Sequence, residues 1–249
     1  MNAAHPHFVL AHGFTQTARS WASLLDLLTD RLGQITTTAI DLPGHGGAAL
    51  VQRDLWGAAD HLVTLGGHGI YVGYSMGGRI CLHAALAHSA SVERLVLVGA
   101  TAGLDSDADR AARRSADNEL ADTILEIGVP AFIDRWLMNP LFDGLTEETD
   151  HRDDRLRNTA EGLASSLQTC GTGTQQPLWT RLNEISVPTL VLVGERDEKF
   201  RAIGERLVAS LPNGQIAVVP GAGHSVHLEK PHETADVIAA FVDDDPTPA

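Results

Sequence analysis

The sequence GIYVGYSMGG, residues 69–78, carries the clearest structural signal in the chain. Residues 69–73 form a short apolar run typical of a buried strand, and a helical pattern follows from Arg79 to Ala87. Between them, residues 73–77 match G-x-S-x-G, a sharp strand-to-helix turn that needs small residues because it crowds its neighbours. Such a turn lifts a serine hydroxyl clear of the sheet, so Ser75 is the first candidate nucleophile.

Similar apolar runs, bounded by Gly, Pro or Asp, recur on both sides of this stretch. They predict further strands over Phe8–Ala11, Ile35–Ile40, Arg94–Gly99, Thr189–Gly194 and Gln215–Val219, separated by helical patterns over Trp21–Arg31, Leu55–Leu65 and Phe200–Leu211. This alternation predicts an α/β fold with a mainly parallel sheet and helices on both faces. Because only seven residues precede the first strand, we expect six or seven strands. Ligands of such sheets bind beyond the carboxyl ends of the strands.

The alternation stops between about Leu104 and Asn183, where the sequence is helical, charged and free of strand-like runs. We therefore predict a core made of residues 1–104 and 184–249, with residues 105–183 inserted as a helical cap. Since core strands flank the insertion, we expect the cap to emerge near the ligand end of the sheet. Its candidate ligand-facing side chains are Arg110, Arg113, Arg114, Trp136, Arg157 and Trp179.

The composition is that of one ordinary globular domain, with 249 residues, 43% of them hydrophobic and 20% charged. The formal net charge of -14 argues against nucleic acid as a partner, because phosphates must be neutralised by Lys and Arg. No run reaches the roughly 18 apolar residues of a membrane span. We also expect no signal peptide, since Met1 to His7 lacks both basic residues and an apolar stretch.

The two cysteines, Cys81 and Cys170, follow no metal-ligand or redox spacing. We interpret both as free thiols in a reducing compartment, with the cytoplasm as the expected location. The sequence therefore predicts neither a metal site nor a membrane partner.

A serine hydroxyl becomes a useful nucleophile or base when an imidazole takes its proton and a carboxylate fixes the imidazole tautomer. Asp197 follows the predicted strand 189–194, and His224 follows the predicted strand 215–219. The chain order Ser, Asp, His is that of the α/β-hydrolase fold. Asp105 remains an alternative carboxylate and His227 an alternative base. Glu195 is less suited, since it lies too close to its strand end.

Negative charge that develops on a substrate oxygen needs preset hydrogen-bond donors. In this fold one donor is the backbone N–H after the nucleophile, which belongs here to Met76. The other comes from the loop after an early strand, and His12-Gly13-Phe14 supplies that turn with the N–H of Phe14. The sequence thus predicts an oxyanion hole made by Phe14 and Met76.

Several stretches together resemble one family, the 2-succinyl-6-hydroxy-2,4-cyclohexadiene-1-carboxylate synthases of menaquinone biosynthesis (MenH). They are His12-Gly13-Phe14, Asp41 to Gly47, Val72 to Arg79, Gly194 to Arg201 and Ala222-Gly223-His224. The stretches 72–79 and 194–201 are the more specific ones, and the likeness spans nearly the whole chain, loosest between Thr159 and Asn183.

The resemblance implies a cofactor-free lyase. It would eliminate pyruvate from 2-succinyl-5-enolpyruvyl-6-hydroxy-3-cyclohexene-1-carboxylate and leave 2-succinyl-6-hydroxy-2,4-cyclohexadiene-1-carboxylate. It also implies a substrate-binding set, namely Tyr74, Arg79, Arg113, Trp136 and Arg157. A substrate with several carboxylates suits arginines, because a guanidinium offers two parallel N–H bonds.

Two other functions share these motifs. A carboxylesterase or C–C bond hydrolase for an acidic small molecule would use the same three residues, with water as a second reactant. A non-enzymatic ligand-binding module would not need them together. Either way we expect a small anionic ligand and a monomer or weak homo-oligomer.

Overall fold

The structure is a computed structural model that describes residues 5–244, and within them it is built on one six-stranded sheet. The strands are β1 (His7–Ala11), β2 (Thr36–Ile40), β3 (Gly69–Tyr74), β4 (Val92–Val98), β5 (Thr189–Gly194) and β6 (Gly214–Val219). Their order across the sheet is β2-β1-β3-β4-β5-β6, and every neighbouring pair is parallel. The predicted parallel architecture is confirmed, with six strands.

The helices connect the strands and cover the sheet. In chain order they are α1 (Ala22–Leu32), α2 (Leu55–Gly66), α3 (Met76–Ala87), α4 (Asp107–Leu137), α5 (Arg152–Arg155), α6 (Ala160–Cys170), α7 (Glu198–Ser210), α8 (Val226–Glu229) and α9 (Pro231–Asp243). Buried side chains of α2, α3 and α7 pack on one face of the sheet, and those of α1 and α9 pack on the other.

Strand β1 illustrates why the central strands are apolar throughout. Successive side chains of a strand point to opposite faces. Val9 and Ala11 therefore belong to the α2/α3/α7 side of the core, while Phe8 and Leu10 belong to the α1/α9 side. A parallel sheet covered on both faces needs such runs, which is why the sequence pattern identified these strands.

The segment between β4 and β5 has an apolar cluster of its own. Helices α4 and α6 pack against each other through a set of buried side chains, which includes Ala121, Ile124, Phe132, Leu163 and Leu167. Helix α4 is kinked at Gly128, whose φ of 76° is left-handed, two residues before Pro130. These helices lie inside the stretch predicted as a cap, and no strand interrupts it among residues 105–183.

Most predicted element ends agree with the structure to within one or two residues. The exception is the helix after Ser75, which begins at Met76 instead of Arg79. Glycines at 77 and 78 would be expected to delay a helix, but here close packing requires them. Within residues 5–244 no helix is both long enough and apolar enough to cross a membrane.

Candidate active site

Ser75 occupies a strained turn between β3 and α3. Its φ of 50° and ψ of -104° are unusual for a residue with a side chain. A side-chain carbon on Gly77 would lie 2.0 Å from the carbonyl oxygen of Ala11, and one on Gly73 would lie 2.6 Å from the carbonyl group of Gly77. The Ser75 N–H donates to the carbonyl oxygen of Val98 at 2.8 Å, which ties the turn to β4. The hydroxyl is thereby held above the carboxyl end of the sheet.

His224 lies between Ser75 and Asp197 in one hydrogen-bonded row. Its Nε2 is 3.3 Å from Ser75 Oγ, and its Nδ1 is 2.8 Å from Asp197 Oδ2. Both His224 and Asp197 are buried. Because an ionised carboxylate only accepts, Nδ1 carries the ring proton and Nε2 presents its lone pair to the hydroxyl. The arrangement can therefore withdraw a proton from Ser75.

The two partners of Ser75 are themselves held by neighbouring groups. Asp197 caps helix α7, since its Oδ1 accepts from the Phe200 N–H at 3.1 Å. The buried carboxylate of Glu229 accepts from the backbone N–H groups on both sides of His224, those of Gly223 at 2.6 Å and Ser225 at 3.0 Å. The imidazole thus sits on a loop fixed from two sides.

Two of the alternative candidates named from the sequence bond elsewhere, and the third is buried without a hydrogen-bond partner among the described residues. Asp105 pairs with Arg206 at 2.6 Å, and hydrogen bonding to that guanidinium lowers the Asp105 pKa. Glu195 accepts from the Gly221 N–H at 2.8 Å. His227 is buried, and burial lowers its pKa well below the ordinary value, so it stays uncharged. None of the three contacts Ser75 among the hydrogen bonds of residues 5–244.

The N–H groups of Phe14 and Met76 are free to bind an oxyanion. Within residues 5–244, neither group donates to a protein acceptor. Met76 begins helix α3, where N–H groups lack intrahelical partners. Both residues line the same cavity as Ser75.

Tyr74 is next to the nucleophile but its hydroxyl is occupied. The hydroxyl lies 2.7 Å from Ser225 Oγ, and burial raises the Tyr74 pKa. Its ring packs so closely under Gly13 that a side-chain carbon there would lie 2.6 Å away. Tyr74 therefore lines the cavity floor and braces the loops of Gly13 and His224.

The cavity above Ser75 has a volume of about 540 Å³. Its apolar wall comes mainly from the predicted cap, with Leu120, Phe132, Trp136, Leu141, Phe142 and Leu167. Trp136 stacks on Phe132 and meets the edge of Phe14, with ring centroids 5.8 Å and 5.3 Å apart. The indole thus joins the cap to the loop that carries one candidate oxyanion donor.

Cations outnumber carboxylates in the cavity lining. The cationic residues are Arg79, Arg113, Arg135, Arg155 and Lys199, and the carboxylate is Asp117. The cavity is therefore locally positive in a chain whose net charge is -14. Salt screens the electrostatic effect of surface charges beyond about 10 Å, so a positive cavity is compatible with a negative net charge.

Arg79 is the cation nearest Ser75 in sequence, one helical turn along α3. It is buried and donates from Nη1 to Gln175 Oε1 at 3.3 Å, with no ion pair among the described residues. Burial lowers its pKa to about 10, which leaves it charged at neutral pH. Arg113 differs, because it pairs with buried Asp117 at 2.8 Å and part of its charge is already balanced.

The structure places Arg155 in the cavity instead of the expected Arg157. Arg157 is exposed and does not line the cavity, whereas Arg155 is 1% exposed and does. Arg155 donates from Nε to the Asp150 carbonyl at 2.7 Å and from Nη1 to Thr15 Oγ1, and its Nη2 has no partner within residues 5–244. His151, which precedes α5, has a left-handed backbone conformation, and the Arg155 side of this short helix faces the cavity. A helix of four residues is too short for its sequence to show which side faces inward.

The remaining cap arginines point away from the site. Arg110 bonds to Asp107 and to the carbonyl of Leu104, and Arg114 donates to the carbonyl of Gly173 at 3.1 Å. Besides Arg155, sequence reasoning missed Arg135, Lys199 and Gln175. Lys199 follows Asp197 by two residues, and that spacing was a usable signal.

The chain matches known proteins over nearly its whole length. The model of the alpha/beta hydrolase family matches residues 8–237. A provisionally named 2-succinyl-6-hydroxy-2,4-cyclohexadiene-1-carboxylate synthase of Bacillus subtilis (strain 168) is 39% identical, over 94% of this chain and 89% of that protein. The synthase of the same name from Salmonella agona is 32% identical, over 95% of this chain and 94% of that protein.

The solved structures agree with these relatives. MenH from S. aureus superposes with a TM-score of 0.86 at 31% identity and covers 97% of this chain and 95% of its own. A malate-bound esterase from Thermogutta terrifontis has a TM-score of 0.80 at 23% identity, covering 96% and 90%, which supports the fold alone. The chain therefore belongs to the alpha/beta hydrolase family and, within it, to the 2-succinyl-6-hydroxy-2,4-cyclohexadiene-1-carboxylate synthase (MenH) family.

Proposed function

We propose that this chain eliminates pyruvate from 2-succinyl-5-enolpyruvyl-6-hydroxy-3-cyclohexene-1-carboxylate and releases 2-succinyl-6-hydroxy-2,4-cyclohexadiene-1-carboxylate. One observation carries the proposal: the row Ser75, His224 and Asp197 opens into a cavity in which cations outnumber carboxylates. The names of the relatives from Bacillus subtilis and Salmonella agona support the same reaction.

The charge of the substrate fits the cavity. The substrate carries three carboxylates, on the ring, at the end of the succinyl chain and on the enolpyruvyl group. The guanidinium groups of Arg79 and Arg155 form no ion pair with a protein carboxylate among the described residues. Charged hydrogen bonds of this kind are about twice as strong as neutral ones. We assign these two side chains to substrate carboxylates, with Arg113, Arg135 and Lys199 in support.

The first chemical step is proton removal from ring carbon C2. This carbon is acidic because it adjoins the succinyl ketone, so the electrons left behind spread onto the ketone oxygen. The base is Ser75 Oγ, whose own proton His224 takes, since Nε2 presents its lone pair toward the hydroxyl. The N–H groups of Phe14 and Met76 would receive the enolate oxygen, and such donors are most effective when they are preset.

The second step expels the leaving group. The C2 electrons form a C2–C3 double bond, the former C3–C4 π electrons move to C4–C5, and the C5–O bond breaks. Enolpyruvate departs with the oxygen and takes up one proton to become pyruvate. The products together contain the atoms of the substrate, so the balance requires neither water, nor an acyl-enzyme, nor an oxidant or reductant.

The location and assembly expected from the sequence belong to the same proposal. We infer a cytoplasmic enzyme that acts as a monomer or weak homo-oligomer. Cys81 and Cys170 are free and buried, which suits a reducing compartment.

The decisive assay follows both products from the purified protein and the enolpyruvyl substrate. We expect pyruvate and the cyclohexadiene in equal amounts, with no mass added to the protein during turnover. Ser75→Ala should abolish both products, and Ser115→Ala, on the exposed side of α4, is the matched control.

The carboxylesterase or C–C bond hydrolase is the competing outcome of this assay. Absence of pyruvate, together with rapid cleavage of p-nitrophenyl esters and an acylated Ser75, would replace the proposed lyase by that hydrolase.

A further inference from the structure

His12 is a buried histidine with both ring nitrogens in use. It follows β1, and Nδ1 lies 2.8 Å from the carbonyl oxygen of Gly13, while Nε2 lies 3.0 Å from the backbone N–H of Leu42. A carbonyl only accepts and an N–H only donates, so Nδ1 carries the proton and Nε2 the lone pair. Burial lowers the His12 pKa, which keeps the ring in this neutral tautomer.

The Gly13 carbonyl belongs to the same peptide group as the Phe14 N–H. A peptide group is planar and trans, so its C=O and N–H point in opposite directions. The hydrogen bond from His12 therefore fixes the direction of the Phe14 N–H, away from the imidazole. That N–H is a candidate oxyanion donor and has no protein acceptor within residues 5–244.

This peptide group needs a hydrogen bond to hold it, because a glycine imposes little steric barrier to rotation of the peptide plane. A flip of the peptide rotates Gly13 ψ and Phe14 φ, and the first costs little without a side chain. Glycine is required here nonetheless, because the Tyr74 ring occupies the space of a side-chain carbon. The backbone N–H of Gln16 also donates to the Gly13 carbonyl, at 3.2 Å, which is longer than the bond from His12.

We propose that His12 is a positioning residue that holds the Gly13–Phe14 peptide in the one orientation that aims the Phe14 N–H at the developing oxyanion. His12 touches no substrate in this role and acts through the backbone. This role rests on the proposed function for the identity of the reaction. The orientation of the Phe14 N–H would serve any oxyanion formed beside Ser75.

Two substitutions separate the two hydrogen bonds of the ring. In His12→Asn the side-chain amide nitrogen can replace Nδ1 as donor to Gly13. In His12→Gln the amide oxygen can replace Nε2 as acceptor from Leu42. His12→Asn leaves the buried Leu42 N–H without its acceptor, whereas His12→Gln leaves the Gly13 carbonyl with the longer bond from the Gln16 N–H, so His12→Asn should lower the melting temperature at least as much as His12→Gln does.

The variant with the smaller loss of stability, His12→Gln, should show the larger loss of activity. Loss of one oxyanion donor lowers kcat about 10²–10³-fold in a hydrolase, so we expect about 10–100-fold for the misoriented peptide of His12→Gln, with KM within about threefold. His12→Asn should keep kcat within about threefold. Equal losses of kcat in the two variants would overturn the proposal. If His12→Gln fails to fold, a tenfold loss in His12→Asn overturns it and retention supports it.

A second readout is independent of the physiological reaction. A fluorophosphonate forms a bond between Ser75 Oγ and phosphorus, fluoride leaves, and His224 takes the serine proton, while the phosphoryl oxygen gains charge. The rate of this labelling should fall about tenfold or more in His12→Gln and little in His12→Asn. Labelling that follows this pattern without pyruvate release by the wild-type protein would overturn the proposed function and leave the His12 assignment standing.

Discussion

The carboxyl edge of the sheet and the helices α4–α6, which lie in the stretch predicted as a cap, form opposite sides of one cavity, and they are built differently. At the sheet edge, Ser75, Asp197 and His224 sit on loops fixed by backbone hydrogen bonds and glycine contacts. On the cap side, Arg113, Arg135 and Arg155 are long side chains on helices, held by a few polar contacts.

The difference assigns separate tasks to the two regions. Reacting atoms must be placed within fractions of an ångström, which a sheet edge with rigid loops can provide. Carboxylate recognition tolerates more movement, so flexible cations on helices suffice. We therefore expect changes at the sheet edge to lower kcat and changes among the cations to raise KM, and each prediction below tests that division.

The largest effect should come from His224→Ala, which removes the imidazole that takes the proton of Ser75. We expect kcat to fall about 10⁴-fold or more with KM within about threefold, because the imidazole acts on the reacting proton and not on the carboxylates. The assay is initial-rate pyruvate formation. His232→Ala, an exposed histidine on α9, is the control and should behave as the wild-type protein does. A rise in KM as large as the loss in kcat would contradict the expected division between kcat effects at the sheet edge and KM effects among the cations.

Asp197→Asn should have the next largest effect. The amide can donate to Nδ1 and so favours the wrong tautomer, for which we expect a loss in kcat of about 10⁴-fold. Asp105→Asn and Glu195→Gln are informative controls, since both carboxylates were alternatives in the sequence and neither contacts His224. If Asp105→Asn gave the larger loss, the assignment of the carboxylate would be wrong.

Arg155→Gln should act mainly on KM. Loss of a charged hydrogen bond is worth about 1.5–3 kcal/mol, so we expect KM to rise about 10–100-fold while kcat changes less. The neighbouring Arg157→Gln should change KM by less than about twofold, because that side chain is exposed. Steady-state kinetics of the pair measures this directly, and a larger effect at 157 would mean that the cap rearranges around substrate.

Arg79→Gln should have the smallest of these effects, about a tenfold rise in KM. Glutamine can still pair with Gln175, so folding should survive, and the melting temperature checks this. Arg114→Gln serves as the control from α4, since Arg114 bonds to a backbone carbonyl outside the cavity. A tenfold loss in kcat with unchanged KM would mean that Arg79 contributes to the chemical step and not to substrate binding.

The same contrast explains what the sequence could predict. Apolar runs of strand length predicted the parallel sheet. Glycines that close packing requires predicted the strand-to-helix turn at Ser75. The positions of Asp197 and His224 followed from strand ends, and the structure brings both to Ser75. In each case local backbone requirements leave a mark on the residue pattern.

The cap lacked such marks. Arg155 and Arg157 differ by two positions on a one-turn helix, and the rotation of that turn depends on His151 and on packing against the Thr15 loop. Arg135 lies in the cavity lining on the part of α4 that follows the kink at Gly128. Tertiary contacts decide which charged residue of such a segment faces inward. The sequence alone therefore could not predict which arginines line the cavity.

Calorimetric titration of the intact substrate into Ser75→Ala separates recognition from chemistry, because it asks whether substrate still binds when the hydroxyl is removed. We expect a dissociation constant close to the wild-type KM, no pyruvate, and weak binding once Arg155→Gln is added to the same variant. Pyruvate release by Ser75→Ala at a rate near that of the wild-type protein, or loss of substrate binding on removal of the hydroxyl alone, would contradict this expectation.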